Sequence, residues 1–363
     1  MKKIISIIAG AILCVGLFLT GCGVSSNDTD SLNSQYFDSS GYFNFDGEPE
    51  YSSNIVKVGT FNIDNDILNG VADTNNTKKV FVMTESSLDV FNISNINSPT
   101  LLKKYDLKGN KIYLSKDGKK IFIGNSSSIK ILDVTDLENP KTIKNIPVNF
   151  SDFVLSSDEK TIFAIDSSLL TIIDITDPTN PNKESTQIDL AEVKKLHISD
   201  DDKKLYVMLV NKLTLVNKLT IIDISDKTNP TKKDEYITSL KNDIAVSKNG
   251  VAILSGMGLV ILSVSNPDNI KKIGDYENNL GSQFRDTIIA SNGKTVFTIN
   301  ATGLGVDILD ISDPSDPQKR GYISFKSSLD IPKKIFLSND ETKLFVEVST
   351  KVYIFDVSFY TKK

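Results

Sequence analysis

Residues 170–181 read LTIIDITDPTNP. Leu170 to Ile173 form an apolar run with almost no polar interruption, the pattern of a strand covered on both faces. The chain then turns at Asp177-Pro178. An Asp side chain bonds its own following backbone and Pro fixes φ, so the turn has a chemical cause. An acidic site around Asp174 and Asp177 is one reading of the stretch, and its recurrence decides against it.

The string returns six more times. Copies begin at Leu88, Ile129, Leu170, Leu219, Leu259, Val306 and Val352, at intervals of 41, 41, 49, 40, 47 and 46 residues. Seven residues into six of them stands Asn95, Asp136, Asp177, Asp226, Asn266 or Asp313, with a proline following; the last copy has Phe359 there. A second rhythm precedes each copy: an apolar run, a Ser or Thr, a polar turn, then another apolar run, as in KIYLSKDGKKIFIGN (residues 111–125). The Ser/Thr positions are Thr74, Ser115, Ser156, Ser199, Ser247, Ser291 and Ser338. Lys116-Asp117-Gly118 and its counterparts are hairpin chemistry. A further run after each Pro turn supplies a fourth strand, for example residues 142–148.

Four strands in 40–49 residues describe a propeller blade, and seven copies predict an all-β, seven-bladed β-propeller of four-stranded antiparallel blades. One twisted sheet cannot cover both of its apolar faces, and neighbouring blades do so. The last copy ends before a fourth strand, while residues 55–63 (IVKVGTFNI) are a strand with no blade of their own. They are expected to complete the seventh blade and close the ring, which a flat solenoid would not require. The repeats resemble the LVIVD repeat family, secreted and lipid-anchored bacterial β-propellers. The resemblance spans residues 54–358 and implies a propeller outside the cytoplasm, with no common activity. Asn92 and Ser263 depart from its strand-end Asp, and the fifth copy has its proline at Pro267.

The N-terminus reads as an address. Met1-Lys2-Lys3 is basic, Ile4 to Leu19 is apolar but short for a membrane span, and Leu19-Thr20-Gly21-Cys22 resembles a bacterial lipobox. The resemblance implies cleavage before Cys22 and a diacylglycerol anchor on it; Gly23, in place of the Asp associated with inner-membrane retention, points to an outer-membrane or surface address if the envelope is Gram-negative. The expected division is a signal peptide 1–21, a lipidated tether 22–53 whose residues 23–34 are rich in Ser, Asn and Asp, and the propeller 54–363. Cys14 and Cys22 are the only cysteines, so the processed fold has no disulfide or thiol metal site. Loss of Lys2 and Lys3 takes the formal charge from -5 to -7. Charges are dispersed, which excludes a nucleic-acid stripe.

No catalytic residue is assigned. His197, the only histidine, lies where sister repeats have Tyr113, Val154, Ala245, Ile289 and Phe336. It is expected to be a packed, hydrogen-bonded first-strand residue near the channel, and one imidazole is short of a zinc or copper site. No cofactor is expected. Calcium is left open by Asp200-Asp201-Asp202 and Asp64-Asn65-Asp66, although the first cluster falls on a hairpin turn. Asp174, Asp223 and Asp310 are expected to accept backbone N–H bonds. There is no Gly-x-Ser-x-Gly elbow, and Gly303-Leu304-Gly305 joins two strands rather than opening a helix.

Two places break the repeat. LVNKLT occurs in tandem at residues 209–214 and 215–220, lengthening a second-to-third-strand hairpin and bringing in Asn217 and Lys218. Residues 279–286 (NLGSQFRD) lengthen an inter-blade connection with Phe284 and Arg285. Both loops belong to one face of a propeller, and loops on a rigid scaffold carry function. Phe284, Arg285, Asn217 and Lys218 are therefore the candidate binding residues. The function expected is a non-enzymatic, monomeric binding or scaffold propeller for a protein or envelope polymer. The rival is a propeller hydrolase or lactonase with a carboxylate-bound metal in the channel.

Overall fold

A computed structural model describes residues 48–362 apart from 74–76, 189, 191, 211–215, 241, 278–280 and 326–330. Cys22, the signal segment, most of the tether and Thr74 lie outside the described residues. Seven antiparallel sheets follow one another around a ring. Blade one is Ile67–Asp73, Lys79–Thr84, Leu88–Asn92 and Thr100–Tyr105. Blades two to six occupy residues 111–147, 152–187, 193–238, 243–276 and 284–324 in the same strand order. Blade seven takes three strands, Pro332–Leu337, Lys343–Val348 and Lys351–Asp356, and its outer strand is Val56–Asn62 from the other end of the chain. The expected closure is therefore found, with Asn62 opposite Lys351 and Val56 opposite Asp356.

The opening stretch shows why its apolar run lacks alternation. Leu170 and Ile172 face blade four, packing with Leu196, Leu205 and Ile222. Ile173 faces blade two, packing with Phe122, Ile129 and Ile131. Each of the seven blade interfaces among the described residues has its own buried cluster of this kind. At the closing interface Phe61 of the N-terminal strand lies 4.2 Å from Phe91 of blade one, ring to ring. The hydrophobic effect thus acts between blades, and no blade is stable by itself.

The Asp and Asn residues after each third strand do what the sequence implies. Asp174 Oδ1 accepts the Thr176 N–H at 2.8 Å and Asp177 Oδ1 accepts the Thr179 N–H at 2.9 Å. Asp223, Asp226, Asp310 and Asp313 repeat both bonds. These bonds hold the carboxyl groups of Asp174, Asp223 and Asp310 below their ordinary pKa. The turns of blades six and one rest on the outer strand of the preceding blade. At Gly274 a Cβ would come within 1.6 Å of the Pro314 carbonyl oxygen, and at Gly59 within 1.9 Å of the Ile96 oxygen, so both positions need glycine.

Three details differ from the sequence reading. In blade six the hairpin bonds taken elsewhere by Ser115 are made by Ala290, not Ser291. The first strand there carries a bulge between Arg285 and Thr287, and Ile288 becomes the counterpart of His197. Second, Glu50–Tyr51 already pairs with the outer edge of blade six, so ordered pairing starts within the segment read as tether. Third, the chain ends in a short helix, Ser358–Thr361, whose Tyr360 carbonyl accepts from Thr295 Oγ1 of blade six.

Candidate functional site

The first strands surround the channel, and their opening residues form a charged belt at its mouth. In ring order these are Asn69, Lys111, Asp152, Lys195, Asp243, Asp286 and Lys334. They sit on the face where each outer strand crosses to the next blade. Lys111 Nζ donates to Asp152 Oδ1 and Lys195 Nζ to Asp243 Oδ1, both at 2.5 Å, and Lys334 Nζ to Asp286 Oδ1 at 2.9 Å. The remaining carboxylate oxygens accept backbone N–H groups of the following blade: Leu196 on Asp152, Thr287 on Asp243 and Ile335 on Asp286, at 2.7–2.8 Å. Asn69 Oδ1 takes the Ile112 N–H at 3.2 Å.

The seam between blades seven and one uses a different residue. Glu347, fully buried on the second strand of blade seven, accepts the Ile67 N–H on Oε1 at 2.9 Å. Every seam is thus bridged at the mouth by a side chain. Burial opposes the charges of Asp243 and Lys334, but the facing ion-pair partners outweigh it, holding Asp243 below and Lys334 above their ordinary values. Burial also works against the Lys111 ammonium, and Tyr113 and Asp152 together more than offset it. Glu347 has no such cation. Its Oε2 is buried without a hydrogen-bond partner among the described residues, and burial pushes its pKa up to about 7.

Inside the belt the channel holds a cavity of about 240 Å³, lined by the ammonium-bearing chains of Lys195 and Lys334, by His197, and by apolar residues such as Ala245, Ile288 and Phe336. His197 is half-buried in the wall. Burial, reinforced by Lys195, pulls its pKa down to about 4, so the ring is neutral at pH 7. The expectation of a hydrogen-bonded histidine fails at Nε2, which is buried with no partner among the described residues.

The four candidate loop residues separate. Phe284 is not in a loop: it opens the first strand of blade six and is fully buried beside Tyr276. Asn217 is buried at the start of the third strand of blade four, with Nδ2 donating to the Ser239 carbonyl. Lys218 is tied to Glu235 at 2.9 Å. Arg285 is exposed and donates to Gln283 Oε1. What the sequence missed on that face is Met257, the tip of the blade-five hairpin, 74% exposed. It bridges to Gln283, and the Gly258 N–H donates to the Ser282 carbonyl, so this hairpin joins the long connection ahead of blade six. Ile237 and Val216 are exposed at the same end of blade four.

The acidic clusters considered for calcium are used otherwise. Asp201 accepts from Ser199 Oγ within its hairpin, and Asp202 receives the Ser157 N–H of the preceding blade at 2.8 Å. Asp64 pairs with Lys104, and Asp66 with Lys333. Among the described residues no three His, Cys, Asp or Glu gather where a metal could be held.

Comparison with known proteins agrees with this architecture. The LVIVD repeat model matches residues 164–186, 215–238 and 301–323, each match running through a third strand and its Pro turn. No curated protein matches the chain. Among solved structures, a chain of hydrazine synthase from Kuenenia stuttgartiensis is similar over 79% of this chain and 94% of its own length, with a TM-score of 0.59 and 13% identity. That identity speaks for fold alone. The present chain carries LVIVD repeats and folds as a seven-bladed β-propeller.

Proposed function

We propose that the chain is an extracytoplasmic lipoprotein, anchored to a bacterial membrane through Cys22, whose propeller binds a protein or envelope polymer without turning it over. The observation that carries the reading is the gathering of departures from the repeat on one face. The strand ends Leu209 and Asn217 that flank the tandem repeat of blade four, the exposed Met257 tip and Gln283 ahead of blade six lie at the same end of successive blades. Exposed apolar side chains on a rigid rim are what a partner would bury. Asp152, Asp243 and Asp286 each commit both carboxylate oxygens to lysines and backbone N–H groups. A metal-dependent hydrolase in the channel would have to break those bonds, which favours binding over catalysis.

A photo-crosslinking residue placed at Met257 in the native host tests the partner face, with Leu101 on the outer strand of blade one as control. One defined adduct from position 257 and none from 101 is expected; equal labelling at both positions overturns the reading. The anchor has its own test. An alkynyl fatty acid fed to the cells should label the wild-type chain and not Cys22→Ala, and equal labelling of the two removes the lipoprotein part.

A further inference from the structure

The belt treats its two signs of charge differently. The carboxylates point into the seams, with both oxygens of Asp152, Asp243 and Asp286 engaged. The lysines are less complete. Lys195 and Lys334 each have one acceptor among the described residues, and an ammonium has three donors. Their side chains are 30% and 26% exposed, against 5% and 14% for their partners Asp243 and Asp286. Both line the same cavity. The surface the channel mouth offers a ligand is thus donor-rich, although the belt as a whole is neutral.

Beyond the belt the wall is apolar apart from the neutral His197, with Ala245, Ile288, Ile335 and Phe336. A volume of about 240 Å³ equals the share of roughly eight waters, so it suits a molecule of about that many non-hydrogen atoms. Small apolar-walled sites with a few placed polar groups bind by burying the body and orienting the head. We propose that the channel mouth binds a small amphipathic carboxylate, its anion held by the Lys195 and Lys334 ammonium groups and its tail lying against Phe336. The site is separate from the rim around Met257 and stands whether or not that rim has a partner.

Calorimetric titration of the purified full chain with hexanoate, hexan-1-ol and hexylamine tests the assignment. Hexanoate is expected to bind one to one, and the alcohol and amine at least tenfold more weakly. Lys334→Met should weaken hexanoate binding at least tenfold. Because that change also strips Asp286 of its cation, Ala245→Phe serves as the second variant. Phe336 occupies the corresponding position of blade seven, so a ring is compatible with a first strand there, and from position 245 it is expected to fill the cavity while leaving the belt residues unchanged. It should abolish hexanoate binding while keeping the wild-type melting temperature. Absence of hexanoate binding to the wild type at millimolar concentration overturns the proposal. So does equal binding of hexanol, or hexanoate affinity unchanged in both variants.

Discussion

The Oε1 atom of Glu347 accepts the Ile67 N–H at 2.9 Å across 280 residues of sequence, joining the last blade to the first. Three other seams use an Asp for the same bond and neutralise it with a lysine. At this seam Lys334, which lies opposite Glu347 in the strand register, pairs with Asp286 instead, and Lys333 pairs with Asp66. The carboxyl is left buried with one oxygen unpartnered among the described residues.

That arrangement makes ring closure depend on pH. Burial, with Asp66 adding to it, raises the Glu347 pKa from 4.5 to about 7, against the pull of the Ile67 N–H and of Lys333 and Lys334. Between those values the folded state binds the proton more tightly than the unfolded chain. The stability contributed by the neutral carboxyl is full below the unfolded value and is lost as pH rises through 7. Glu347→Gln keeps an acceptor for Ile67 and cannot ionise. It should be more stable than wild type at pH 8, by at most about 3 kcal/mol, with little advantage at pH 4. Denaturant titrations at both values check this, and an advantage independent of pH would contradict it.

His197 acts in the opposite direction. Its neighbours are Lys195, Asp243, Lys111 and Asp152, and burial with the two lysines outweighs the carboxylates, bringing its pKa from 6.5 to about 4. The unfolded chain therefore binds the extra proton in that window, so wild-type stability falls as pH drops from 6.5 to 4. His197→Phe installs the residue that blade seven has at this position. It should gain about 2 kcal/mol over wild type at pH 4.5 relative to the difference at pH 7.5. Parallel stability curves for the two proteins would show that the imidazole does not titrate in this way.

The architecture was legible because it repeats. Ile172 and Ile173 lack alternation in every copy for one reason, burial between two blades, and the spare strand at 55–63 had only one edge to fill. The belt was not legible because its members differ in kind: Asn69, Lys111, Asp152, Lys195, Asp243, Asp286 and Lys334 occupy one structural position without sharing a residue type. Their signal was a polar residue opening each first strand, as in KIYLS, DFVLS and KLHIS, and a search for identity passes over it. Phe284 was misplaced for a related reason. A longer connection suggested a longer loop, but the apolar side chain was claimed by the interface between blades five and six.

The close approach at Gly274 yields a sharp test of how blades register. Gly274 lies in the outer strand of blade five, where the strand register shifts against Ile261 and Leu262, and the Pro314 carbonyl of blade six fills the place of its side chain. Gly274→Ala must push the Asp-Pro turn away or bend the strand. A loss of about 2–3 kcal/mol is expected from overpacking at a site with no flexible neighbour. Gly281, whose added Cβ would meet nothing within 4 Å among the described residues, is the control and should tolerate the volume of alanine, with only the cost of its positive φ. A Gly274→Ala protein that melts with wild type would mean that the turn does not seat against this strand.

Residues 173 and 174 separate the two functions of the repeat. Ile173 is fully buried against blade two, so Ile173→Ala removes apolar area and leaves a cavity, at a cost of about 3–4 kcal/mol. Asp174 is exposed and holds Thr176 and the start of the turn, so Asp174→Ala should cost about 1 kcal/mol. Asp174→Asn keeps the accepting oxygen, as Asn92 does toward Ser94 in blade one, and should restore most of that loss. If instead Asp174→Ala proved as damaging as Ile173→Ala, and Asn failed to rescue it, the carboxylate would have a task beyond turning the chain, and the acidic reading of the stretch would return.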